Sequence, residues 1–170
     1  MNSPLSAAEQ TALHSWVANG GALIVTSDYG ATPYYDSFTA TYGVTQYKDA
    51  FADSPPALPV GSHPVIAGVS SIFFAAPSSF SYNSANAKLV AEQYFKAFGV
   101  VLDPSTNFNV GGCVLVWGNS TMFIDAYIVK NDNVQLADMV SWAHARGALP
   151  NGARAHDVFL SIASHELRTP

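Results

Sequence analysis

Charged side chains make up only 11% of this 170-residue sequence, less than half of the roughly 25% usual in soluble domains. Seven lysines and arginines stand against twelve acids, a net charge of -5. That balance leaves no basic footprint for a nucleic-acid backbone and no cluster for an anionic membrane surface. There is one cysteine, Cys113, which excludes an internal disulfide and fits a reducing compartment. No apolar run is long enough to span a bilayer, and no basic start leads into an apolar signal region. The chain is therefore expected to be soluble. It also lacks a G-x-S-x-G elbow and either common phosphate-cradling glycine loop. There are no repeats and no low-complexity tract.

What is present is apolar: 49% of the residues are hydrophobic. That is ample to offset the entropy of ordering, so the chain is globular. Its length suits one domain, or one domain with an appendage, burying roughly 70% of the unfolded surface without metal or disulfide. Ser6-Ala7-Ala8-Glu9 reads as a capping box opening a helix whose apolar face holds Leu13, Trp16 and Val17. Asn19-Gly20-Gly21 supplies its left-handed stop. "ALIVTS", Ala22 to Ser27, is a continuous β-branched run, the mark of a strand buried on both faces.

Further on, Tyr34 to Tyr42 predicts a short helix closed by Gly43. Residues 53 to 64 are loop, with His63-Pro64 placed to open a one-turn helix. "SIFFAA" and "SFSYN" read as two short strands separated by Pro77. "KLVAEQYFKAF", Lys88 to Phe98, fits helix and strand equally. "DPSTNFNVGG" is turn material and "CVLVW", Cys113 to Trp117, a second buried strand. Asn131 or Asp132 caps a final helix to about His144, with Val134, Leu136, Met139, Val140 and Trp142 as its apolar positions. "RGALPNGARAHD" is a linker. After it Phe159, Ile162, Ala163 and Leu167 keep a helical stripe. A helix, a tight glycine turn and a buried strand indicate an α/β fold, a mostly parallel sheet flanked by helices in the flavodoxin manner.

Few residues suggest chemistry. Cys113 begins a strand and reads as a core thiol. The five histidines, His14, His63, His144, His156 and His165, have no zinc-type spacing. His14 reads as a helix-surface residue and His63 as a loop residue. The loops after the two buried strands, Asp28 and Tyr29 after the first and Asn119 and Ser120 after the second, are candidate walls of one ligand cleft. Both also read as ordinary turns. Tyr34, Tyr35, Tyr42 and Tyr47 suit either a sugar or peptide groove or a covered sheet edge.

The terminal "FLSIASHELRTP" resembles the phosphoacceptor motif of sensor histidine kinases, matching Phe159, Leu160 and the run Ala163 to Pro170. The resemblance implies a dimerising helical hairpin in which His165 accepts the γ-phosphoryl group of ATP. Glu166 would orient and deprotonate the imidazole, and Thr169 would position water for phosphatase action. It implies ATP with Mg as donor, bound by a domain absent here. Its implied partners are a response-regulator receiver domain and a second copy, through the His165 helix. A second resemblance covers residues 5 to about 144. "LSAAEQTALHSWVANGGALIVTSD", "HPVIAGV" and "VLVWGNSTMFIDAYIVKNDNVQLADMVSWA" look like glutamine-amidotransferase-like α/β domains. Asn119 stands where an acid is usual, no catalytic Cys or Cys–His pair is present, and the strand expected before the first helix is missing, which points to a trimmed N-terminus. It implies a fold and a ligand cleft, not amidotransferase chemistry.

The sequence thus reads as a piece of a histidine kinase. A sensory or interaction domain spans 1–148, and a linker with the start of the dimerisation helix spans 149–170. It carries no membrane span and is expected in the cytoplasm. The alternatives are a non-catalytic ligand-binding or interaction module of amidotransferase-like fold, and a hydrolase using the loops at Asp28 and Ser120.

Overall fold

The computed structural model describes residues 5–26, 36–47, 56–75, 77–106, 111–123, 125–133 and 159–161. It opens on helix α1, Ala7–Ala18. The capping box is formed: the Ser6 hydroxyl accepts the Glu9 N–H at 3.3 Å, and the Glu9 carboxylate accepts the Ser6 N–H at 2.7 Å. These hydrogen bonds hold the exposed Glu9 carboxyl below its ordinary range. Asn19 caps the far end, and Gly20, at φ +97°, turns the chain into strand β1, Ala22–Thr26. Helix α2, Asp36–Ala40, leads through Gly43 into β2, Val44–Gln46.

Strand β3, Leu58–Pro59, precedes a one-turn 3-10 helix, Pro64–Ile66, capped by His63 as the sequence suggests. Strands β4, Phe80–Tyr82, β5, Lys88–Gln93, β6, Lys96–Leu102, and β7, Cys113–Trp117, follow. Then come helix α3, Asp125–Ile128, and strand β8, Phe159–Ser161. The described part of "SIFFAA" forms no strand; Ile72 makes isolated bridges to Ala57 and Asn131. The expected helix after Asn131 lies, beyond Asn133, outside the described residues, as does the linker.

The expectation of a mostly parallel sheet flanked by helices is not met. Eight strands form one mixed sheet, ordered β2-β4-β6-β7-β1-β8, with β5 on β6 and β3 on β5. Among the described strands only the β7-β1-β8 trio is parallel; the other pairings are antiparallel. The physical reason lies in what covers the sheet. Leu23, Val25, Val114 and Val116 face one side, under Val17 of α1 and Phe38 of α2. Ala22, Ile24, Cys113, Leu115 and Trp117 face the other. There the cover comes from the irregular 57–74 segment, through Ala57, Val65, Ile66, Ile72 and Phe74, together with Met122. A strand is apolar on both faces whenever both are covered, whether by helices or by loops, so such runs do not reveal strand direction.

The core tolerates no extra atoms at the strand crossings. Trp117 and Phe74 pack on either side of Phe98, with ring centroids 6.1 and 4.9 Å from it. Gly99 exists because the Trp117 ring occupies the place of its side chain: a Cβ there would sit 2.2 Å from a ring carbon.

Candidate functional site

His165, Glu166 and Thr169 lie outside the described residues. The residues that should open their helix do not form one. Phe159, Leu160 and Ser161 are strand β8, parallel to β1 in the register Leu23↔Phe159, Ile24↔Leu160, Val25↔Ser161. Alternation along a strand breaks the three- and four-residue stripe that a dimerisation helix requires. The segment extends this domain's own sheet at that point, and the phosphoacceptor-helix reading fails there.

Asp28 and Tyr29 also lie outside the described residues. Asn119 and Ser120 are placed, and β1 and β7 do end side by side, with Thr26 paired to Trp117. Asn119, however, is fully buried and spent on the fold. Its amide donates to the Ala75 carbonyl at 2.6 Å and its oxygen accepts the Met122 N–H at 2.9 Å, capping the 3-10 turn Thr121–Phe123. An acid at this position would lose the donor half of that arrangement. Ser120 is only 8% exposed, and its carbonyl accepts from Phe123. The described histidine–carboxylate pair stands at the opposite edge of the sheet. Asp103 follows Leu102, which pairs with Val114 at the start of β7, whereas Ser120 follows the end of β7. The length of that strand, at about 3.3 Å per residue, separates them, so that pair does not serve Ser120; Asp28, the other residue of the hydrolase reading, lies outside the described residues.

That pair is His63 and Asp103, 3% and 0% exposed, with Nε2 and Oδ2 3.3 Å apart. The Val65 N–H donates to His63 Nδ1 at 3.2 Å. An Nδ1 that accepts leaves the ring proton on Nε2, facing the carboxylate. Asp103 Oδ1 in turn accepts from both the N–H and the hydroxyl of Ser105. Both ring nitrogens are therefore occupied in tying the loop before Ile66 to the end of β6. The arrangement is a clasp, with neither nitrogen turned to a cleft.

His14 is likewise not a plain surface residue. Thr41 donates its hydroxyl to the Phe38 carbonyl and so accepts from His14 Nε2, which turns Nδ1 toward the Tyr42 hydroxyl as an acceptor at 2.8 Å. Tyr42 is thus a latch between α1 and α2, and burial pushes its pKa up to about 12. Its folded-state pKa lies above the unfolded value of about 10. Stability from the neutral phenol is therefore fully present below pH ~10 and lost as pH rises toward 12. In an ultraviolet titration of the folded chain, one tyrosine is expected to ionise well after the others. A single transition near the free-tyrosine value would contradict the latch.

The exposed counterpart is the β5–β6 hairpin. Its closing pair is Gln93↔Lys96, so Tyr94 and Phe95 alone make the turn, at φ +50° and +63°. Two left-handed residues in a two-residue hairpin loop describe a turn in which Asn and Gly are the ordinary occupants. Each bulky side chain held there costs about 1–2 kcal/mol. The turn presents both rings to water: Tyr94 is 59% exposed and Phe95 96%.

Beside the tip runs an open groove of about 460 Å³, walled by Tyr47, Ser81, Tyr82, Leu89, Phe95 and Lys96 among others. The sheet builds it. Ala97 pairs with Glu92 on one side and Phe80 on the other, so β4 takes the edge of β6 that β7 leaves at Gly99. The register of β4 on β6 is given by the single pair Phe80↔Ala97, with Ser81 and Tyr82 beyond it alongside Lys96 and Phe95. Tyr47 joins from β2, its N–H donating to the Ser79 carbonyl. Of the four tyrosines considered for a groove, Tyr47 lines one, Tyr42 is buried, and Tyr34 and Tyr35 lie outside the described residues. The sequence hides this surface because Tyr94 and Phe95 carry no turn signal. The only hint is that no single period runs through Lys88 to Phe98.

Among the described residues, no group of three or more His, Cys, Asp or Glu is placed to hold a metal. Nor is any helix there long and apolar enough to cross a membrane.

A family model described as "Domain of unknown function (DUF4350)" matches residues 2–139. That match replaces both resemblances drawn from the sequence, to histidine kinases and to glutamine-amidotransferase-like domains. It ends well before His165. Among solved structures, the mmIFT52 N-terminal domain is similar with a TM-score of 0.67 and 19% identity, over 83% of this chain and 72% of that one. The cytoplasmic protein STM1381 from Salmonella typhimurium LT2 is similar with a TM-score of 0.56 and 14% identity. Those regions cover 80% of this chain and 58% of that one. At such identities the likeness is one of fold alone. No curated protein matches the chain.

Proposed function

This chain belongs to the DUF4350 family, and from that premise we propose that it is a non-catalytic interaction module that binds a protein partner through the tip of its β5–β6 hairpin. The observation that carries this reading is the turn itself. Tyr94 and Phe95 occupy backbone conformations that disfavour them, and Phe95, at 96% exposure, buries almost nothing in return. Backbone strain that persists without a packing gain is characteristic of binding and active sites, and exposed aromatic anchors beside a concave surface are the usual centre of a protein interface. The buried polar groups favour binding over catalysis: His63, Asp103 and Asn119 are all engaged in structural hydrogen bonds. The reading requires no cofactor, and the net charge of -5 argues against nucleic acid. A cytoplasmic location fits it, since Cys113 is a buried thiol outside any disulfide and the structurally similar STM1381 is described as cytoplasmic.

The test is a photocross-linking side chain placed at position 95 in living cells, with the exposed Ala12 on α1 as control. A defined protein adduct at 95 that is absent at 12 is expected. The same adducts at both positions, or none at 95, would remove the proposal.

A further inference from the structure

Resting on that reading, we propose that the partner presents an uncharged, apolar side chain and that the groove beside the hairpin tip receives it, with Phe95 as one of the walls. The groove is a continuation of the core that reaches the surface. Phe80 and Ala97 line it, and both belong to the buried cluster that includes Val17 of α1 and Phe38 of α2. Tyr82 and Leu89, also walls of the groove, pack against that cluster. Apolar surface continuous with a core gains most from an apolar cover, because taking such area out of water drives association. The hollow of about 460 Å³ lies in the range, about 300–1,000 Å³, of sites that hold a ligand.

Charge separates the possible occupants. Lys96 is the one charged residue among those lining the groove, and it already has an interaction of its own. No acid lines it. An acidic or basic side chain would give up its water there without meeting a free opposite charge. Three walls, Tyr47, Ser81 and Tyr82, carry hydroxyls that make no hydrogen bond to the described residues. Such hydroxyls can both donate and accept, so they suit the N–H and C=O groups on either side of a bound side chain. A saccharide could use the same hydroxyls, but it carries one of its own on almost every ring carbon. Against Phe80, Leu89 and Ala97 several of these would lose water and gain no partner, which costs binding energy. An apolar side chain flanked by peptide groups brings no such surplus.

Nitrogen–proton correlation spectra of the full chain, titrated with small probes, test this. The probe is N-acetyl-leucine methylamide, one apolar side chain between two peptide groups. Its lysine and aspartate counterparts and maltotriose are the comparisons. The leucine probe is expected to give saturable shifts at Ser81, Leu89 and Ala97, with a Kd on the order of millimolar, as suits a ligand of so few atoms. The charged probes and maltotriose should bind roughly tenfold more weakly or not at all. Tyr47→Ser removes a half-exposed wall and should weaken the leucine probe roughly fivefold or more, while the signals of the buried strands stay in place and show the fold intact. No saturable shift, equal binding of a charged probe, tighter binding of maltotriose, or indifference to Tyr47→Ser would each overturn the inference. If the probes fail while position 95 still gives its protein adduct, the groove inference falls and the interaction module stands. With neither, both fall.

Discussion

Asp103→Ala is expected to remove about 2–3 kcal/mol of folding stability, at the upper end of the cost of leaving a buried donor without its acceptor. The carboxylate is fully buried, and so nearly is the imidazole it faces. His63 Nδ1 accepts from Val65, which leaves the ring proton on Nε2, facing Asp103. Truncation removes the acceptor in front of that proton and also the one to which the N–H and hydroxyl of Ser105 both donate. An unsatisfied buried donor costs about 1–3 kcal/mol by itself. The midpoint of urea unfolding reads the effect, with Ser105→Ala as comparison, since that change removes one hydroxyl and leaves the His63 contact intact. A loss below ~1 kcal/mol for Asp103→Ala, the range of an ordinary surface change, would show that the pair is not a clasp.

Gly112→Ala should be nearly as damaging, by a different mechanism. A methyl group there would lie 2.0 Å from the Gly21 carbonyl oxygen and 2.6 Å from that of Val17. Both are backbone atoms at the end of α1, so no side chain can swing aside, and the α1–β1 turn itself must move. Overpacking of this kind costs about 1–3 kcal/mol or more. The adjacent Gly111 supplies the control, because a methyl group there meets nothing closer than 3.2 Å. In a domain of this size about 1 kcal/mol shifts the melting temperature by about 2–4 °C. Gly112→Ala should therefore melt several degrees lower and Gly111→Ala close to the parent. Equal melting temperatures for the two would contradict the close approach of β7 to the helix end.

The contrast between these sites and the hairpin explains what the sequence made legible. The capping box Ser6–Glu9, the Gly20 stop, strands β1 and β7, and the His63-Pro64 turn were readable because each is encoded within a few neighbouring residues. Sheet direction was not. "CVLVW" is apolar on both faces because loops as well as helices cover it, and its antiparallel neighbour β6 is buried in the same way.

The terminal segment misleads for a related reason. Phe159 and Leu160 suit a helical stripe and an apolar strand equally well in sequence, and long-range pairing with Leu23 and Ile24 decides between them. Local sequence carries no information about that partner. The cleft at Asn119 was inferred from strand order, and Asn119 proved to be a cap: its side chain bonds backbone groups three and forty-four residues away. The hairpin tip was invisible because its residues contradict local preference, and such contradictions concentrate at functional sites.

That contradiction offers the most direct test. Tyr94→Asn combined with Phe95→Gly gives the turn its preferred residues and removes two rings that the core does not use. The melting temperature of this variant, taken in dilute solution, is expected to rise by a few degrees, since roughly 1–2 kcal/mol of strain per residue is relieved. A lower melting temperature would mean that the two aromatic side chains serve the fold, and the case for a binding tip would be lost.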